Sequence, residues 1–149
     1  MKYLVLLFFP FILQAQENTT EHAGLSWYVN YSEALDSSKK LHKNVLVYFT
    51  GSDWCAPCKK LKEDLFETSD FQDLAKDYVL LYIDIPVNKE LLSERQMAHN
   101  KQLLPKLNKK GVFPLIKVLD EDENVLDELS GYSMDGDVES YLKFLSANK

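Results

Sequence analysis

The two cysteines of this 149-residue chain stand three positions apart, in the segment Trp54-Cys55-Ala56-Pro57-Cys58-Lys59. If the segment opens a helix, its first turn puts both sulfurs on one side, close enough to close a short disulfide ring. Cys55 then sits at the helix N-terminus, where unpaired N–H groups and the helix dipole favour a thiolate, so it is the expected nucleophile. Cys58, one turn further in and less exposed, is placed to attack a mixed disulfide formed on Cys55 and is the expected resolving thiol. Three plainer readings compete with thiol-disulfide exchange. A structural zinc would need two more ligands, and His22, His42 and His99 are scattered without a ligand-like pair, so no metal is expected. A purely structural disulfide would gain little from so short a loop. Two unrelated buried cysteines would not account for the flanking Trp54 and the intervening Pro57.

The elements around the pair have the composition needed to position it. Val45 to Thr50 (VLVYFT) is a β-branched and aromatic run, typical of a strand buried on both faces. Gly51-Ser52-Asp53 turns the chain, and Pro57 suits the first turn of a helix that continues through Leu61, Leu65 and Phe66. Upstream, Tyr31 to Lys43 is spaced as an amphipathic helix, with Trp27 and Tyr28 expected to pack beside it. Downstream, the pattern predicts a short helix over Asp70 to Lys76 and a second buried strand over Val79 to Ile85. A longer helix is predicted over Asn88 to Lys110, kinked or split by Pro105. Leu115 to Leu119 and Val125 to Leu129 read as a hairpin around the acidic turn Asp120 to Asn124, and Asp137 to Ala147 as a C-terminal amphipathic helix. Helices between the first strands imply a parallel pair, and the closing hairpin adds an antiparallel one. The expected fold is therefore α/β, with a single mixed sheet and helices on both faces.

Composition bounds the rest. With 17 basic and 23 acidic residues the net charge is −6, which argues against nucleic acid as the partner. Met1-Lys2 followed by the apolar run Tyr3 to Leu13 and the small Ala15 reads as a signal peptide over 1–15. The run is shorter than the roughly 20 residues of a membrane-spanning helix. Cleavage would leave no membrane insertion and a periplasmic or secreted protein, with 16–26 as a polar leader and 27–149 as the domain. Lys39-Lys40 and Lys109-Lys110, the acidic run Asp120 to Glu123, and His99 read as solvated surface.

The stretch Val45 to Leu61 resembles the strand, active-site loop and helix of the thioredoxin superfamily, in particular its secreted bacterial thioredoxin-like thiol:disulfide oxidoreductases. Gly111-Val112-Phe113-Pro114-Leu115 is similar to the family's loop with a cis-proline facing the cysteine pair, and Gly131-Tyr132 to its glycine-containing stretch after the last strand. The resemblance implies a thioredoxin-like fold and a substrate groove formed by Trp54, Ala56, Pro57, Phe113 and Pro114. There the backbone at Phe113 would pair with an extended substrate segment. It also implies disulfide- or thiol-containing protein substrates, a membrane electron donor, a monomer, and no cofactor.

Two departures from the family pattern stand out. The buried Asp expected six residues before the first cysteine is replaced by Phe49, leaving Asp53 as a candidate substitute proton acceptor. Asp84 is the single charged group in Val79 to Ile85, where the family's buried Lys partner is also unmatched. Ala56-Pro57 between the cysteines lacks the His usual in strong oxidants. A potential nearer roughly −270 mV than −120 mV is expected, which favours a reductase or isomerase over a thiol oxidase. A partner-binding module with an idle cysteine pair is the alternative from another class.

Overall fold

The computed structural model describes residues 19–149. The expected signal segment 1–15 lies outside the described residues. Six strands form one sheet in the order β1-β2-β4-β3-β5-β6. They are β1 (Thr19–His22), β2 (Leu25–Tyr28), β3 (Val45–Thr50), β4 (Val79–Asp84), β5 (Leu115–Leu119) and β6 (Val125–Ser130). The helices are α1 (Tyr31–Leu41), α2 (Ala56–Leu61), α3 (Ser69–Ala75), α4 (Glu94–Leu107) and α5 (Glu139–Ala147), with a π-helical turn over Lys62–Phe66 directly after α2.

Strand β3 is buried throughout, and its side chains alternate between two cores. Val45, Val47 and Phe49 join Leu81, Ile83 and Leu115 on the face covered by α1 and α4. Leu46 and Tyr48 face the other way, into a cluster with Leu61, Phe66, Phe71 and Phe144 supplied by α2, the π turn, α3 and α5. Helices therefore cover both faces of one mixed sheet, and each fully buried Leu, Ile or Phe contributes about 1.5–3 kcal/mol to holding it there.

Three expectations are corrected. The sheet begins at Thr19 rather than at Trp27, because Thr19–His22 and Leu25–Tyr28 pair as an antiparallel hairpin that extends the sheet beside β4. Its turn uses Ala23 (φ 55°) and Gly24 (φ 72°), both left-handed, which matches the twist of the two strands but is unusual for Ala. The alternation along β2 sends Tyr28 toward α1, where its hydroxyl donates to Ser37 Oγ at 3.2 Å. Trp27 instead enters the opposite core, packed against Phe66 and Phe71. Finally, the helix expected from Asn88 starts only at Glu94, capped by Ser93 Oγ accepting from Gln96 N–H at 3.1 Å. Pro105 stays inside α4 and does not split it.

The topology gathers three loops at one end of the sheet. β3 and β4 run parallel with Thr50 opposite Asp84, so the chain leaves both strands side by side. β5 runs antiparallel to β3 and enters the sheet at that same end, with Leu115 opposite Phe49. Residues 51–55, 85–88 and 111–114 are neighbours for this reason.

Candidate active site

The turn out of β3 is set by Gly51, whose carbonyl accepts from Trp54 N–H at 3.2 Å and Cys55 N–H at 2.8 Å. A Cβ at position 51 would lie 2.2 Å from Trp54 Cε2, so the indole occupies space that only glycine leaves open. The Trp54 ring stays 47% exposed, donates from Nε1 to the Ile85 carbonyl at 2.8 Å, and meets Phe113 edge-on at 5.3 Å between centroids. This contact joins the cysteine loop to the loop carrying Phe113-Pro114, whose peptide bond is cis. Pro114 is buried, and its carbonyl accepts from Gly131 N–H at 2.9 Å.

Cys55 is the N-cap of α2, with Pro57 in the first turn, and its sulfur accepts the Cys58 N–H at 3.3 Å. In the reduced protein that N–H and the helix dipole favour the Cys55 thiolate. The two sulfurs are bonded to each other in this structure. Cys58 is 1% exposed and Cys55 only 3%. Cys58 is thus buried as expected, while Cys55 is more enclosed than its place at a helix start implies.

Asp53 does not substitute for a buried proton acceptor. Its carboxylate accepts from Val87 N–H at 3.0 Å and Asn88 N–H at 2.7 Å, which ties the cysteine loop to the loop after β4. The Asn88 bond, with smaller help from Val87, holds its pKa below the ordinary value. Phe49 points into the core on the far side of the sheet. The β3 side chain that reaches the cysteine helix is Tyr48, whose hydroxyl donates to the Cys58 carbonyl at 3.2 Å. Asp84 is buried and accepts from Ser52 N–H at 2.9 Å and Ser52 Oγ–H at 2.5 Å, bracing the same turn.

Sequence reasoning missed two spaces flanking the pair. A cavity of 370 Å³ is walled by Cys58, His22, Tyr48, Thr50 and Tyr82 among others. On the other side of Trp54, an apolar cleft of 680 Å³ is lined by Ile85, Val87, Leu92 and Met97. Strand alternation alone signals Tyr48 and Thr50, but nothing local to His22 links it to Cys58. Two surface assignments also change. His99 Nε2 accepts the Tyr31 N–H at 3.2 Å, and Glu123 accepts from Tyr31 Oη at 2.9 Å and Lys106 Nζ at 2.6 Å, pinning the acidic turn to α1 and α4. Among the described residues no three His, Cys, Asp or Glu side chains come together as a metal site.

Comparison with known proteins agrees with this geometry. A family model described as thioredoxin-like matches residues 26–120. The chain is 32% identical over 128 residues to a protein of Chlamydia pneumoniae named disulfide bond reductase DsbH, covering 85% of this chain and 75% of that one. A solved structure titled DsbH oxidoreductase superposes with a TM-score of 0.72 at 28% identity, covering 91% of each chain. A disulphide isomerase from Xylella fastidiosa shares the fold, with a TM-score of 0.58 at 20% identity over 78% of this chain and 86% of its own. A cysteine pair at the start of a helix, in a sheet of this topology and with these relatives, makes the chain a member of the thioredoxin-like family of thiol-disulfide oxidoreductases.

Proposed function

We propose that the protein works outside the cytoplasm as a reductase or isomerase of protein disulfides. The observation that carries the reading is the Cys55–Cys58 disulfide at the N-terminus of α2, beside the Trp54–Phe113 contact. The similarity to a protein named disulfide bond reductase supports the direction. So does the dipeptide Ala56-Pro57, which places no cation beside the nucleophile. The apolar run Tyr3 to Leu13 supports export.

In the reducing direction the Cys55 thiolate attacks one sulfur of a substrate disulfide, forming a mixed disulfide and releasing one substrate thiolate. Cys58 then attacks the Cys55 sulfur, and the second substrate thiolate leaves with the bonding pair. The substrate gains two electrons and the pair becomes the disulfide, which an external dithiol donor at the membrane must reduce again. An extended substrate would lie across Trp54, Ala56, Pro57, Phe113 and Pro114, its apolar side chains reaching the cleft beside Trp54.

The test is equilibration of the purified protein in glutathione buffers, read by Trp54 fluorescence, with Cys58→Ser as a trap for mixed disulfides. A reversible potential below about −220 mV supports the reductase. A value near −120 mV makes the protein a thiol oxidase. A pair that never exchanges leaves a binding module, in which case Cys58→Ser traps nothing.

A further inference from the structure

Disulfide exchange at a buried pair leaves a proton to be moved. Before Cys58 can attack, its thiol must lose a proton, and at 1% exposure it has no direct route to bulk solvent. The 370 Å³ cavity that Cys58 lines supplies a route, since it carries the polar side chains of His22, Tyr48, Thr50 and Tyr82 and is large enough for several waters. On the exchange reading above, we infer that His22, which lines the same cavity, accepts the Cys58 proton through water in the resolving step.

The geometry singles out His22 among the groups around the cavity. Its ring stacks on Tyr82 at 4.0 Å between centroids and 25° between planes, which holds it in the wall. Tyr48 and Tyr82 are pushed well above the ordinary phenol range by burial, so they stay protonated and can pass a proton but not keep one. Asp84 lines an adjoining cleft that His22 also borders, but both its carboxylate oxygens already accept from Ser52. Glu63 and Glu67 are exposed on the outer turn and lie 3.8 Å from Lys60 and 3.6 Å from Lys62 respectively. Lys59 and Lys62, the remaining charged groups of the wall, carry no acceptor.

Burial and then Lys62 lower the His22 pKa from 6.5, outweighing the opposing pull of Asp84 and Glu21. The imidazole is therefore neutral at pH 7, with one ring nitrogen able to accept. The step balances without a further reactant. The Cys58 proton passes through water to His22, the Cys58 sulfur bonds to the Cys55 sulfur, and the substrate sulfur leaves with the electron pair. The imidazolium then returns its proton through the cavity to solvent or to the departing thiolate.

The experiment mixes the reduced protein with the chromogenic disulfide of nitrothiobenzoate in a stopped-flow instrument. The first thiolate released reports attack by Cys55, and the second reports resolution by Cys58. His22→Gln is expected to slow the second phase roughly 100-fold at pH 7, with the first phase unchanged. The wild-type second phase should rise with pH and level off above the His22 titration, whereas His22→Gln and His22→Phe should keep rising over the same range. The phenylalanine variant keeps an aromatic ring on Tyr82, and added imidazole should restore the second phase of His22→Ala. A second phase in His22→Gln that matches wild type at every pH overturns the inference. So does an equal fall of both phases, or a loss confined to Asp84→Asn. Absence of the first phase in the wild-type protein instead overturns the exchange reading itself.

Discussion

Replacing Gly51 by alanine probes how the cysteine loop is held. The residue's backbone conformation is open to alanine, since it is not among the positive-φ glycines. The added Cβ would instead lie 2.2 Å from Trp54 Cε2 and 2.4 Å from Nε1, so the indole must move. Movement breaks the 2.8 Å bond from Nε1 to the Ile85 carbonyl, a net loss of about 1 kcal/mol. It also separates Trp54 from Phe113, an edge-on pair worth about 0.5–1.5 kcal/mol. The expected cost is therefore about 1.5–2.5 kcal/mol, measured by urea denaturation of the oxidised protein. In a Trp54→Ala background the obstacle is gone, and Gly51→Ala should cost less than about 0.5 kcal/mol. An equal cost in both backgrounds would refute the steric account and place the effect in the backbone.

Variants at Trp27, Tyr48 and Asp53 test other contacts of the core and the cysteine loop. Trp27→Ala should destabilise the protein by about 3–5 kcal/mol, because this side chain joins the N-terminal hairpin to the core. Trp27→Phe should cost clearly less, since it removes a buried indole N–H that has no partner among the described residues; thermal unfolding reads both. Tyr48→Phe deletes the hydroxyl bonded to the Cys58 carbonyl and should cost about 1 kcal/mol in denaturant titration. Asp53→Ala frees the loop at Val87 and Asn88, and proteolysis at that loop should quicken. The Asp53 pKa is lower in the folded protein than its ordinary 3.8. The stability difference from wild type should therefore be fully present above pH 3.8 and vanish as pH falls through the lower, folded value. Chemical denaturation across this range checks the sign.

The chain alone determined the chemistry and most of the scaffold, for a local reason. Cys55, Pro57 and Cys58 lie within one helical turn, and the buried run Val45 to Thr50 forms a strand by composition wherever it pairs. The same locality explains the errors. Polar Thr19 to His22 carries only a weak strand signal and is held by pairing with β2, which an Ala-Gly turn made hard to anticipate. Counting back from Cys55 to Phe49 presumed a loop length, and strand alternation aims that side chain at the far core. Only the tertiary structure brings the loops after β3 and β4 and before β5 to one end of the sheet. Register decides this: parallel pairing sets Thr50 beside Asp84, and antiparallel pairing sets Leu115 beside Phe49. Asp53 thereby becomes a brace for another loop, Trp54 meets Phe113, and His22 comes to share a cavity with Cys58, 36 residues further along the chain.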